Sequence, residues 1–100
     1  MAKHLIHIHP RAKDRLNKQV QWYRVYRDES FVKTMLRNIV ADIETLRNMP
    51  TIGRIVPTKG RHEYRMLISH KKCLIKYWYN SRSLHIVDIT FTEAHSPRIF

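Results

Sequence analysis

Cysteine, glycine and carboxylates are the scarce residues of this chain. Its one cysteine, Cys73, cannot form an internal disulfide, so a reducing, cytoplasmic location is the expectation. No run of about 18 apolar residues occurs, which excludes a transmembrane helix, and no membrane partner is expected. The opening MAKHLIHIHPR lacks the apolar core of a signal peptide. Repeats, low-complexity runs and linkers are also missing, so residues 1–100 read as a single domain with one small core.

The shortage of acid is the strongest compositional signal. Eight Asp and Glu stand against nineteen Lys and Arg, a formal net charge of +11. Residues 1–50 hold ten basic and five acidic side chains, and residues 51–100 hold nine and three. With 43% apolar residues, this is a folded domain that is basic throughout rather than a neutral one with a basic tail. Such a field attracts polyanions, whether nucleic acid or an acidic protein.

Hydrophobic periodicity divides the chain in two. KHLIHIH alternates and predicts a strand at about 3–9, which Pro10 ends while opening a helix. Ala12, Leu16, Val20, Tyr23 and Arg27 then fall on one helical stripe, the arginine by its aliphatic stem. Asp28-Glu29-Ser30 breaks that helix, with Ser30 the expected N-cap of the next. From Phe31 the positions Val32, Met35, Leu36, Ile39, Val40, Ile43 and Leu46 repeat at helical spacing until Pro50. Beyond residue 60 the period becomes two. HEYRMLIS, CLIKYWY and LHIVDITF predict three strands joined by two tight turns. The expected fold is α+β: an N-terminal strand and an antiparallel helical hairpin packed on a C-terminal antiparallel β-meander. Tyr64, Met66, Ile68, Ile75, Tyr77, Val87 and Ile89 are expected beneath the helices, leaving Arg65, Lys76, Trp78 and Asp88 on the open face.

Both glycines and two of the four prolines lie in PTIGRIVPTKGRHEYR, residues 50–65. Pro50 stops the helix, Gly53 is expected to allow a sharp exit, and Pro57 and Gly60 shape a loop. A connection needs such residues. It does not need Arg54, Lys59, Arg61, His62 and Arg65 beside them.

Laid out this way, the chain resembles the RelE/ParE toxins of type II toxin–antitoxin systems. The likeness rests on IVADIETLRNMPTIGR (39–54), EYRMLI (63–68), CLIKYWY (73–79) and LHIVDITF (84–91). It implies a toxin held in check by a small, acidic, partly disordered antitoxin. RelE-like members cut mRNA on the ribosome, and ParE-like members poison DNA gyrase. Arg65 matches the strand arginine that RelE-like members place at the phosphate, and Lys59, Arg61 and His62 lie in the loop where they keep further basic residues. The tail departs from the family: FTEAHSPRIF has His95 where an arginine is expected before Pro97, and no tyrosine follows.

Metal-independent RNA cleavage needs a base for the 2′-hydroxyl, an acid for the leaving oxygen and cations around the phosphorane. Arg65, Arg61 and Lys76 can supply cations, and His62 and His95 can move protons. Arg54, Lys71 and Lys72 add to the RNA-facing charge, and Trp78 can stack a base. The competing structural roles are a cross-strand ion pair of Arg65 near Glu63 or with Asp88, a salt bridge of Lys76 to Asp88, and a partly covered sheet position for Trp78. His4, His7 and His9 lack a carboxylate or cysteine partner, so a polar strand face is expected rather than a metal site, and no cofactor. Cys73 reads as a small strand residue. Trp22 lies off the buried stripe: it is either covered by the N-terminal strand or, with Tyr26, an exposed anchor expected to bind the antitoxin. Three functions follow in order: a ribosome-dependent endoribonuclease, a gyrase inhibitor, and a small basic nucleic-acid-binding module.

Overall fold

In the computed structural model, residues 4–69 and 73–92 are described. The elements are β1 (Leu5–Ile8), α1 (Pro10–Tyr26), α2 (Glu29–Asn48), a 3-10 turn (Pro50–Ile52), β2 (Arg54–Val56), β3 (Tyr64–Ser69), β4 (Cys73–Tyr79) and β5 (Ser83–Phe91). The five strands form one sheet in the order β1-β5-β4-β3-β2. Neighbours are antiparallel except β1, which lies parallel to β5 at the sheet's edge. The expected strand, helical hairpin and meander are all present. β2 is an addition, because its three residues are too few to show an alternation.

Both helices begin where the chain chemistry allows. Pro10 occupies the first turn of α1, where its missing N–H is no loss. Asp28, not Ser30, caps α2: its carboxylate accepts from the Phe31 N–H at 2.8 Å. The anticipated serine lies two residues too late, inside the first turn. Such a cap contributes about 1 kcal/mol. Glu29 in the first turn and Arg47 in the last both suit the helix dipole.

The core lies between the helical hairpin and one face of the sheet. Ala12, Val20 and Tyr23 of α1 and Val32, Ile39, Ile43 and Leu46 of α2 are buried against Cys73, Ile75 and Tyr77 of β4 and Leu84, Ile86 and Ile89 of β5. This matches the helical stripes except at Val40 and Arg27, which are exposed.

β3 turns the opposite face to the helices from the one expected. Its register with β4 pairs Arg65 with Tyr77, Leu67 with Ile75 and Ser69 with Cys73. Directly opposed residues share a face. Arg65, Leu67 and Ser69 therefore point to the helical side, and Tyr64, Met66 and Ile68 to the open side. Ile68 is accordingly 58% exposed. β3 is apolar at both parities, so its own alternation cannot decide the face.

β5 shifts phase partway along. Lys76 opposes Asp88 while Tyr77 opposes Ile86, leaving Val87 as the extra residue of a β-bulge. Leu84 and Ile86 before the bulge, and Ile89 after it, can then all be buried. Simple alternation places Val87 on the covered face, but it is the residue that breaks the alternation.

Candidate functional site

The exit from α2 is built by β4 and β3 side chains. The Tyr77 hydroxyl donates to the Pro50 carbonyl at 2.6 Å and accepts from the Gly53 N–H at 2.9 Å. Gly53 has φ −73° and ψ 150°, an extended geometry open to any residue. Its glycine is required by contact instead: a Cβ there would lie 2.8 Å from Tyr77 Cε1 and closer still to the hydroxyl. Gly60 is the one whose backbone demands glycine, with φ +134°.

Arg65 belongs to this exit. Its guanidinium donates to the Thr51 carbonyl at 3.0 Å and the Gly53 carbonyl at 2.8 Å, and Glu63 lies 3.6 Å from it. Only 16% of its side chain is exposed. Arg65 thus leaves the open-face group anticipated for it and clamps the 3-10 turn from the helical side. Asp88 stays opposite Lys76 on the open side, but its carboxylate is engaged from α1 around the sheet edge. β1 ends opposite Ile86, so β5 is an edge from Val87 onward, and Arg15 and Arg11 of α1 reach Asp88 at 3.4 and 3.8 Å.

The open face retains Lys76 and Trp78 and gains rings. Lys76 Nζ lies 5.0 Å from the Tyr64 ring centroid. His62, from the loop before β3, stacks on Trp78 at 3.7 Å with planes 6° apart. The other face of Trp78 meets His85 at 4.1 Å and 5°. His85 in turn stacks on His7 of β1 at 4.8 Å and 15°. His62, Trp78, His85 and His7 therefore form one column of near-parallel rings crossing β4, β5 and β1. His85 was not anticipated in the site. The available signal was that Trp78 and His85 become direct neighbours once the β4–β5 register is known.

The other anticipated residues separate into groups. Arg54 is exposed on the open side of β2, opposite Met66, and Lys59 and Arg61 are exposed in the loop that carries His62. Lys71, Lys72 and His95 lie outside the described residues. The Trp22 and Tyr26 rings lie 4.9 Å apart on α1 with their planes tilted by 38°, and Tyr26 is exposed beside the exposed Val25. That patch is on the helical side, away from the ring column. Burial first, and the Asp42 carboxylate second, push the Cys73 thiol up to about 12, so it stays protonated and inert at neutral pH. An open apolar hollow between the hairpin and the sheet is lined by Phe31, Met35, Ile39, Cys73 and Phe91 among others. Among the described residues, no helix is long and apolar enough to cross a membrane.

The open face thus holds rings, one lysine and nearby loop cations, while the strand arginine faces the other way. No family model matches the sequence, and no curated protein does. Among solved structures, a chain described as the chromosomal ParDE TA system from P. aeruginosa is similar, with a TM-score of 0.73 and 15% identity. The match covers 90% of this chain and 97% of that one. The strand, helical hairpin and meander read from the sequence are therefore those of a known architecture, and this chain shares the α+β fold of that ParDE-system chain.

Proposed function

We propose that this chain is the toxin of a type II toxin–antitoxin pair, and that it acts by binding DNA gyrase rather than by cutting mRNA. The observation that supports binding over cleavage is the orientation of Arg65. In-line attack on a phosphate needs cations and proton-transfer groups converging on one point. Arg65 is engaged by the Thr51 and Gly53 carbonyls on the helical side, whereas His62, Lys76 and Trp78 share the opposite face. The likeness in fold to a ParDE chain supports the toxin reading as a whole.

An antitoxin fits the remaining surface. A small acidic segment, disordered when free, would meet a basic partner that offers Trp22, Val25 and Tyr26 as apolar anchors on α1. Neutralising part of a +11 domain favours such a complex at low salt.

Ribosome-dependent RNA cleavage is kept as the second reading because His62, Trp78 and Lys76 do share a face. Induced expression separates the two. Transcript 5′ ends are mapped and chromosomal breaks are counted in the same culture. Intact transcripts with DNA breaks are expected. Cuts within translated codons, with intact DNA, would establish the nuclease instead.

A further inference from the structure

The edge strand β1 is docked through histidine. His4 Nε2 donates to the Asn80 carbonyl at 2.8 Å, and its ring lies edge-on to Tyr79. His7 stacks on His85, and His9, one residue past the strand, places Nε2 3.3 Å from His85 Nδ1. Between them, Ile6 and Ile8 pack on the core.

A hydrogen-bond chain assigns the protons. The Ser83 hydroxyl donates to Asn80 Oδ1, so its oxygen accepts from His85 Nε2 at 3.0 Å. His85 Nδ1 is then a bare lone pair that accepts from His9. One added proton can be shared along the His9–His85 contact. A second leaves an N–H facing an N–H, with two like charges in contact and a third on His7 when that ring is protonated.

We propose that β1 is a proton-released edge strand: when His85 and its β1 partners are charged together, β1 leaves β5 while the antiparallel part of the sheet stays closed. The groups facing His85 are His7 and His9 from the β1 side, Trp78 from β4, and Ser83 on its own strand. His62 acts from beyond Trp78. Asp88, the carboxylate of β5, is engaged by Arg11 and Arg15 of α1. Desolvation, then the neighbouring histidines, hold the His85 pKa below its ordinary value, which is the direction expected of a group that resists charging in place. Release exposes the backbone of Ser83–Ile86, an unpaired edge able to accept another strand. This inference is independent of the toxin's target.

The test is hydrogen exchange on the full chain between pH 7.5 and 5.5, corrected for intrinsic exchange rates. The reporters are the amides of Leu5, bonded to the Arg82 carbonyl, and His9, bonded to the Ile86 carbonyl. Their protection is expected to fall about tenfold per pH unit for each proton taken up on opening, while β3–β4 amides keep theirs. In His85→Gln, and separately in the double variant His7→Gln/His9→Gln, that pH slope is expected to flatten. Having both variants guards against one that loosens β1 at every pH. An equal fall in β3–β4, pH-independent protection of Leu5 and His9, or an unchanged slope in both variants would overturn the proposal.

Discussion

Arg65, Gly53 and Tyr77 make a single joint, and each depends on the other two. Tyr77 bridges Pro50 and Gly53, Arg65 holds the Thr51 and Gly53 carbonyls, and Gly53 leaves room for the phenol. Gly53→Ala forces overpacking against an aromatic ring that is itself buried, and is expected to cost about 1–3 kcal/mol in urea denaturation. Arg65→Ala removes two charge-assisted hydrogen bonds and is expected to lower stability by roughly 2 kcal/mol in the same measurement. A stability unchanged in Arg65→Ala would return this residue to the functional surface. The sequence shows that residue 53 is special, but not why. Glycine commonly signals a positive φ, and only the fold reveals that a tyrosine 24 residues later needs the space. Likewise an arginine in a strand gives no sign of the face it occupies, because that depends on register with the next strand.

Strand and helix periodicities carried most of the architecture. α2 was legible from seven apolar positions at helical spacing, and six of them are buried or half-buried. The meander was legible from three alternating segments. What escaped was phase. β3 is apolar on both faces, and the bulge at Val87 moves the buried set of β5 from Leu84 and Ile86 to Ile89. The ring column was hidden for the same reason, since His7, His62, Trp78 and His85 meet only across four separate segments. At the helix start, a side-chain oxygen two residues from the anticipated one does the capping. Asp28→Ala is expected to cost about 1 kcal/mol of stability, and Ser30→Ala far less, by thermal or urea unfolding.

The molecule as a whole is a strong polycation with a histidine-lined face. Its affinity for an acidic segment or for single-stranded RNA is expected to drop steeply as salt is raised, since each phosphate contact releases a counterion. Titrations at low and physiological salt check this, and equal affinities would contradict it. Acid is also expected to weaken the fold. His85 holds its proton less readily folded than unfolded, so stability is intact above the ordinary histidine range, near pH 6.5, and declines as pH falls toward the folded-state value. Urea midpoints at pH 7.5 and 5.5 measure the loss, which is expected to be smaller in His85→Gln.

The parallel pairing of β1 with β5 has a consequence for biosynthesis. Leu5 leaves the ribosomal exit tunnel long before its partner Ser83 is made. Until β5 has emerged, Leu84, Ile86 and Ile89 cannot fill the core, and β1 has no strand to join. Nascent chains stalled before residue 83 should remain protease-sensitive, whereas chains extended past residue 91 with a spacer should resist. A cell making this protein would therefore meet the finished fold only after the codons of β5 had been read.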